Sequence, residues 1–489
     1  MVHNQEIDAG AATMLYHTLR ESVRASYDSK QVFNATKSLN MVFRCSDEKA
    51  IAFFHTIGID ILQILLLLVE MNFRLGNEKL VNECQALIGR WAGLKMDLTA
   101  ISHHEKLLPF LVESIRGVSC TSVVHCAIIL LQSLSRFIPN KIVIAQSDSV
   151  LECVFDITES RLPDQIRGDA ARTISNLAWS SENKHVIASK LPCLISLSNL
   201  MIDKNQGVLS HTLDIMMHLS AAPPKTKTLL VYFKHGLLLR RLLQVAQDFT
   251  QDEKLCVNAT HSTANLVCRD TAEFMAEHDD VVHILKYLAC GGLGDGETAT
   301  QSALCLKKLA TYVTQESACH SGLLRSILTV VKASTSTQTT MWASRAIKEQ
   351  ACFAANSPHL VDSEAFLSSV ARLMACHTVS IQLPVLEAIE TLATSEKNSY
   401  LIASDPFILS SLLEITMRQK PLFEPFDPVA RRLAVGSILA LCTDQTSAKK
   451  IANHYGLVRS LRFCGKSRVY DIALRRAAIE AVVCLTPFL

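Results

Sequence analysis

The eleven residues DAARTISNLAW, Asp169–Trp179, contain the pattern on which the whole chain is built. If Leu177 is taken as an anchor, the apolar Ile174 lies three positions before it and the small Ala170 lies seven positions before it. Residues at these spacings share one face of an α-helix. The stretch therefore predicts a helix that buries one narrow face.

The same template recurs through the 489 residues at intervals close to 43. Its anchors are Val42, Trp91, Leu134, Leu177, Leu219, Leu266, Leu309, Leu392, Leu441 and Leu485. From Trp91 onward they are separated by 43, 43, 42, 47, 43, 83, 49 and 44 residues. The spacing of 83 indicates two periods with one poorly matching unit around Trp342–Asn356. A fixed period of this length predicts a solenoid, in which stacked units share one continuous core.

A second kind of segment lies between the anchors, with a polar start, a short apolar turn, a break and an amphipathic stretch. Gly236, Gly322 and Gly456 occupy that break, which predicts three helices in each unit, the first of them short. Loops are predicted at GGLGDG, STSTQTT and PLFEPFDP (291–296, 334–340 and 421–428). Residues 1–28 are predicted to form a capping helix, followed by a single array over residues 29–489.

Three stretches carry a resemblance to a known family, namely AARTISNLAW (170–179), HSTANLV (261–267) and KHGLLLRRLL (234–243). Together with the repeat length they resemble the armadillo repeat family over nearly the whole chain, as about eleven units. The resemblance implies an all-α fold, a right-handed superhelical solenoid of three-helix repeats. Two-helix repeats of the HEAT type have a similar length and are the alternative.

The resemblance also implies that the third helix of each unit lines a concave surface that binds extended peptides or other partners. Helical geometry selects the residues one, five and eight positions before each anchor as one exposed row, which we call the stripe. In the central units the stripe consists of Asp169, Arg172, Asn176, His211, Asp214, His218, Asn258, His261, Asn265, Gln301, Leu304 and Lys308. All but Leu304 are polar, and such side chains can hydrogen-bond the main chain of a partner. A solvated helix face without a ligand is the alternative interpretation.

The importin-α subfamily of armadillo proteins binds basic nuclear-import signals with two residues of one helix, an Asn and a Trp four residues from it. Here Arg172 precedes Asn176 and His261 precedes Asn265 at that spacing. Without aromatic slots for lysine stems, binding of import signals is not expected. A nuclear-import adaptor is therefore kept only as an alternative function.

Charge is unevenly distributed along the chain. The net charge is +2, but residues 418–476 contain twelve Lys or Arg and four Asp or Glu, so this segment carries +8. Within it, Arg431 and Arg432 lie at the same offsets from their anchor as Arg475 and Arg476 from theirs. Such pairs predict a basic patch for an acidic peptide, a phosphate or nucleic acid, although few aromatic residues are available to stack on bases. A solvated basic surface is equally compatible with these residues.

The cysteines and the hydropathy indicate a compartment. Sixteen cysteines occur without a CxxC pair, and the opening residues MVHNQEIDAGAATM lack the basic and apolar regions of a signal peptide. The most apolar run, Ile61–Val69, has nine residues and contains Gln63. We therefore expect reduced thiols in the cytoplasm, with the nucleus as a second location, and no transmembrane segment.

Sequence motifs of enzymes are missing. The chain has no GxxxxGK[ST], HExxH or GxSxG, and His125–Cys126 and Cys376–His377 are adjacent pairs without the spacing of zinc ligands. No catalytic residue, metal or cofactor is predicted. The sequence thus favours a non-enzymatic scaffold or adaptor that binds other proteins through the stripe.

Overall fold

The computed structural model describes residues 9–24, 29–45, 60–93, 107–117, 120–249, 251–291, 296–313, 322–352, 364–417, 428–454, 456–467 and 470–489. The chain divides into two compact units, Met1–Arg241 (unit 1) and Leu242–Leu489 (unit 2). Every regular element within the described ranges is a helix, which confirms the predicted all-α class. The prediction of one uninterrupted array stays a prediction.

Unit 1 contains α1 (Ala9–Arg24), α2 (Ser29–Cys45), α3 (Asp60–Arg74), α4 (Glu78–Gly93), α5 (Leu107–Arg116), α6 (Thr121–Leu134), α7 (Ile138–Gln146), α8 (Asp148–Glu159), α9 (Asp164–Ala178), α10 (Ser181–Ser189), α11 (Leu191–Leu200), α12 (Gln206–Ser220) and α13 (Pro224–Tyr232). The helix α14 (Leu237–Asp248) includes the boundary between the units.

Helices of the same kind are neighbours in unit 1. The third helices α2, α4, α6, α9 and α12 each pack on the next one, the second helices α5, α8 and α11 do the same, and so do the short first helices α7, α10 and α13. The N-terminal α1 packs on α2 and α3. Each repeat in unit 1 therefore buries its apolar face against the equivalent face of the next repeat, as a 43-residue period requires.

Unit 2 continues with α15 (Glu253–Leu266), α16 (Ala272–Glu277), α17 (Asp279–Ala289), α18 (Glu297–Tyr312), α19 (Leu323–Ala333), α20 (Thr337–Cys352), α21 (Glu364–Ala375), α22 (Val379–Leu392), α23 (Glu396–Ala403), α24 (Pro406–Met417), α25 (Pro428–Leu441), α26 (Gln445–Ala452), α27 (Leu457–Lys466) and α28 (Ile472–Leu485), followed by a 3-10 turn, Thr486–Phe488.

The same arrangement holds in unit 2. The third helices α15, α18, α20, α22, α25 and α28 pack in sequence, and the second helices α17, α19, α21, α24 and α27 form a second row. The predicted break between first and second helices is confirmed at Gly456 and, in unit 1, at Gly236, which adopt left-handed backbone conformations with φ of 92° and 85°. Gly322, directly before the second helix α19, also has a positive φ, of 63°. Glycine is favoured there because other residues pay a steric penalty at positive φ.

The predicted anchors lie in the core. Leu134, Leu177, Leu219, Leu266, Leu309, Leu392, Leu441 and Leu485 are all buried. The side chains of Val42 and Trp91 lie outside the described residues. The residues seven positions before the buried anchors, Ala170 and Ala259 among them, are also buried, so neighbouring third helices approach through small side chains.

The poorly matching unit has a polar anchor. Its third helix, α20, packs between α18 and α22, and the anchor position is occupied by Gln350, 41 residues after Leu309 and 42 before Leu392. Gln350 is 1% exposed, and its Nε2 donates a hydrogen bond to the Ala310 carbonyl at 3.0 Å. The repeat is therefore continuous through this unit, with an amide where the other units have leucine.

One predicted loop is shorter than expected. STSTQTT (334–340) is a loop only over 334–336, because α20 begins at Thr337 and the Ser336 hydroxyl accepts a hydrogen bond from the Thr339 amide at 3.4 Å. Residues 292–295 and 421–427 of the other two predicted loops lie outside the described residues.

Candidate partner-binding site

The stripe lies on the third helices. Asp169, Arg172 and Asn176 belong to α9, and His211, Asp214 and His218 to α12; Asn258, His261 and Asn265 belong to α15, and Gln301, Leu304 and Lys308 to α18. Arg172 is exposed and the others are half-buried, whereas the positions three, four and seven before each anchor are buried. The stripe is thus the first row of side chains outside the core. The stripe residues of α9 and α12 form the unit-1 stripe, those of α15 and α18 form the unit-2 stripe, and the stripe residues on one helix are called a rung.

In the unit-1 stripe, Asp169 is held by the preceding third helix. His125 Nε2 lies 3.2 Å from Asp169 Oδ2, and Gln132 Nε2 donates to Oδ1 at 3.1 Å. Burial raises the pKa of the Asp169 carboxyl, but the hydrogen bonds from His125 and Gln132 outweigh it, so this pKa lies below its ordinary value. Neither His125 nor Gln132 occupies a stripe offset, and for this reason the spacing rule does not find them.

Asn176 is also turned toward the preceding repeat. Its Nδ2 donates to Ser135 Oγ at 3.0 Å and to the Gln132 carbonyl at 3.4 Å. The amide donor that was predicted to bind a partner's main chain is therefore engaged within the protein.

The second rung of the unit-1 stripe, on α12, places a histidine beside a carboxylate. His211 Nδ1 lies 3.6 Å from Asp214 Oδ2. Burial lowers the pKa of His218, and although the Asp214 charge opposes this effect, the pKa stays below its ordinary value. Most polar groups of the unit-1 stripe thus have partners within their own unit.

The unit-2 stripe is more open. Lys308 Nζ donates to the Ala264 carbonyl at 2.8 Å, and Gln301 Nε2 donates to Glu297 Oε1 on the same helix at 2.6 Å. In contrast, neither Asn265 nor His261 forms a hydrogen bond or ion pair within the ranges that the structure describes. These two half-buried side chains have unused hydrogen-bonding capacity.

The unit-2 stripe has a third rung on α20, which the sequence template did not identify because the anchor of this helix, Gln350, is polar. Counting back from Gln350 places Glu349, Arg345 and Trp342 at the stripe offsets on α20, and all three are half-buried. The Arg345 guanidinium carbon lies 4.8 Å from the centre of the Trp342 ring. The sequence analysis missed Trp342 and Arg345 because it left this unit without an anchor; dividing the 83-residue spacing in two would have located them.

Ion pairs join this rung to its neighbours. Lys307 Nζ on α18 lies 3.7 Å from Glu349 Oε1, and Lys348 Nζ lies 2.5 Å from Glu387 Oε2 on α22. The hydrogen bond to Glu387 raises the pKa of Lys348. Two of the carboxylates near the stripe are thereby paired with lysines.

The predicted basic patch requires a correction. Arg431 is 2% exposed, its guanidinium carbon lies 4.5 Å from the Tyr470 ring centre, and burial lowers its pKa. Arg475 is half-buried and Arg476 Nε donates to Glu480 Oε1 at 2.9 Å, so that Arg432 is the one exposed member without an ion pair in the described chain. Arg431 and Arg475 share the position ten residues before their anchors, and because one is buried and the other half-buried, this common offset does not produce an exposed basic patch.

Arg167 shares this offset in unit 1. Its Nε donates to the Thr158 carbonyl at 2.9 Å, and it forms ion pairs with Asp164 and Asp203. Other exposed cations of the last repeat lie on its first two helices, with Lys449 on α26 and Arg459, Arg462 and Lys466 on α27.

The described residues offer no metal site and few reactive thiols. No group of three or more His, Cys, Asp or Glu side chains in the described ranges could hold a metal ion. Burial raises the pKa of the Cys126, Cys193, Cys305 and Cys442 thiols to about 12. No single helix among those described is long and apolar enough to cross a membrane. Two helices joined at a bend of 82°, Glu396–Ala403 and Pro406–Met417, together have the length and composition of a membrane span.

Scans of the sequence against protein-family models and curated proteins find no match. Solved structures do match. An engineered protein from a structural genomics consortium superimposes with a TM-score of 0.55 at 14% identity, covering 96% of this chain and 98% of that one. A structure from work on the interaction between cadherin and β-catenin gives 0.53 at 16% identity, covering 99% and 98%. The chain has an armadillo-like repeat fold.

A designed armadillo repeat protein in complex with the peptide (KR)4 also matches, with a TM-score of 0.42 at 16% identity, over 50% of this chain and 99% of that one. The β-catenin neighbour, which superimposes over nearly the whole chain, and the all-helical described ranges confirm the predicted solenoid of helical repeats. Identities this low establish the fold alone.

Proposed function

We propose that the chain is a non-enzymatic scaffold that binds an extended segment of a partner protein along the unit-2 stripe. The observation that carries the proposal is the half-buried Asn265, which has both an amide donor and an acceptor and forms no hydrogen bond within the described ranges. A peptide group offers the complementary acceptor and donor. The neighbouring His261 is equally without a partner in those ranges.

The spacing of the rungs suits an extended chain. Packed helices lie about 8–10 Å apart and an extended chain rises about 3.3 Å per residue, so successive third helices would meet a bound segment at about every third residue. Such binding combines main-chain hydrogen bonds with side-chain contacts between the rungs. The structural neighbour from the cadherin and β-catenin work is concerned with a protein–protein interaction, which supports the same class of function.

The test is selection of twelve-residue peptides from a random display library on the full chain, followed by calorimetry of the selected peptides. We expect Asn265→Ala together with His261→Ala to weaken binding at least tenfold. Asn453→Ala, an exposed Asn outside the stripe, serves as the matched control and should leave binding unchanged. If every selected peptide binds the double variant as tightly as the parent chain, the proposed site is wrong.

The two alternative functions make different predictions in the same assay. A nuclear-import adaptor would select lysine-rich peptides, but no described third helix combines an Asn before its anchor with a Trp four residues earlier. A nucleic-acid or phosphate binder would show binding that falls steeply with salt and depends on exposed cations such as Arg432. We expect neither result.

A further inference from the structure

Arg345 is a cation without an anion. It lies on α20 in the third rung of the unit-2 stripe, half-buried, with its guanidinium stacked on Trp342. It forms no hydrogen bond and no ion pair within the described part of the chain. A half-buried charge loses hydration, and an arginine in that position normally has a carboxylate or another acceptor beside it.

The nearby carboxylates do not fill this role. Glu349, one turn further along α20, is paired with Lys307, and Glu387 on the next third helix is paired with Lys348. The contact with the indole ring positions the guanidinium but satisfies none of its N–H donors, which can still bind an anion. The site is therefore arranged for an anion that the described residues do not supply.

We propose that Arg345, positioned by Trp342, binds a carboxylate side chain, Asp or Glu, of the segment held in the unit-2 stripe. This proposal rests on the proposed function. A planar guanidinium accepts a carboxylate in a bidentate geometry, which fixes the register of the segment as well as adding affinity. Arg345 would thus select which residue of the partner lies over α20.

A carboxylate fits this site better than a phosphate. One guanidinium matches a single negative charge, whereas a phosphorylated residue carries about 1.5 to 2 negative charges at neutral pH. Lys307 and Lys348 are paired with Glu349 and Glu387, so neither supplies the second cation that would match the extra charge of a phosphate. The half-buried Leu304, at the equivalent offset on the preceding third helix, offers an apolar contact beside the acid.

A charge swap tests the assignment. Random twelve-residue peptides are selected in parallel on the full chain, on Arg345→Glu and on Arg325→Glu, an exposed arginine on the outer helix α19. We expect Asp or Glu to be enriched at one peptide position on the parent chain and on the Arg325→Glu control. On Arg345→Glu that position should change to Lys or Arg, and the parent peptides should bind at least tenfold more weakly.

Folding and phosphate are controlled separately. Circular dichroism and thermal unfolding show whether Arg345→Glu is folded, and Arg345→Gln, which removes the charge without reversing it, should lose the acidic preference without gaining a basic one. A peptide in which phosphoserine replaces the selected acid should bind more weakly than the parent peptide, and tighter binding would overturn the assignment to a carboxylate.

The two proposals fail in different ways. Peptides that depend on Asn265 but show no acidic position, or keep it on Arg345→Glu, overturn the role of Arg345 and leave the scaffold function standing. If no peptide depends on Asn265, the scaffold function fails, and the Arg345 proposal fails with it.

Discussion

The unit-1 and unit-2 stripes occupy the same offsets on the same kind of helix, yet their side chains are used differently. In unit 1, Asp169 receives hydrogen bonds from His125 and Gln132, and Asn176 donates to Ser135. In unit 2, Asn265 and Arg345 have no such partners in the described chain. A shared offset therefore predicts where a side chain lies, while the neighbouring helix determines whether that side chain is free to bind a partner.

The difference arises from the preceding third helix. Before α9, the helix α6 and the residue directly after it provide polar groups within hydrogen-bonding distance of the stripe, namely His125, Gln132 and Ser135. Before α20, the preceding third helix α18 has the apolar Leu304 at the offset that Arg345 occupies on α20. Lys307 of α18 is paired with Glu349 of α20. Asp169 and Asn176 of unit 1 therefore hold neighbouring repeats together, whereas Asn265 and Arg345 of unit 2 have no such contact in the described chain, although Lys308 of unit 2 does bind the preceding repeat.

The largest difference in the free energy of unfolding is expected when one hydrogen-bond acceptor is removed from each stripe. Asp169→Ala should lower the free energy of unfolding around α9 by about 1–3 kcal/mol, because His125 and Gln132 lose their acceptor. Asn265→Ala should change it by less than about 0.5 kcal/mol, because no partner is lost. Amide hydrogen exchange of α6, α9 and α15 measures both locally, and similar losses in the two variants would contradict the comparison.

The dependence on pH should differ at the position just before the anchor, where unit 1 has His218 and unit 2 has Asn265. Burial holds the pKa of folded His218 below the ordinary value of about 6.5, so the unfolded chain binds the proton more readily. The free energy of unfolding around α12 should therefore fall as the pH falls through about 6.5, and level off below the folded pKa.

Hydrogen exchange of α12 at pH 7.5 and pH 5.5, corrected for the intrinsic rate, checks this prediction. His218→Asn copies the unit-2 residue and should remove the part of the pH dependence that comes from this histidine. An equal pH dependence in the parent and the variant would show that His218 does not contribute.

The smallest expected effect concerns the ion pairs between rungs of unit 2. Glu349→Gln breaks the contact with Lys307, and because both side chains are partly exposed the cost should be below about 1 kcal/mol and should shrink further in 1 M salt. Urea unfolding at low and high salt measures it. A cost that persists at high salt would mean that this pair is as structural as Asp169 in unit 1.

Much of the fold follows from the sequence because burial imposes a strict period. Leu177, Leu309 and Leu441 are buried where the template places them, and Gly322 and Gly456 have the positive φ that a break between helices requires. These features depend on local helix geometry and on side-chain size, which a single sequence displays directly.

The remainder depends on contacts between helices, which the spacing rule does not contain. A template that asks for an apolar anchor fails at Gln350, because this amide is satisfied by a carbonyl of the preceding helix. Arg431 has a basic side chain at a regular offset, but it is buried against Tyr470. In both cases the partner comes from a different repeat or segment, about 40 residues away in the chain.

The hydrogen bond from Gln350 to Ala310 has a consequence for how the repeats find their neighbours during folding. Units of similar sequence can associate out of order, which is a characteristic failure of repeat proteins. An apolar anchor would be satisfied against any other third helix, whereas Gln350 is satisfied only where a carbonyl lies opposite it. The one polar anchor thus acts as a check on the order in which α18, α20 and α22 assemble.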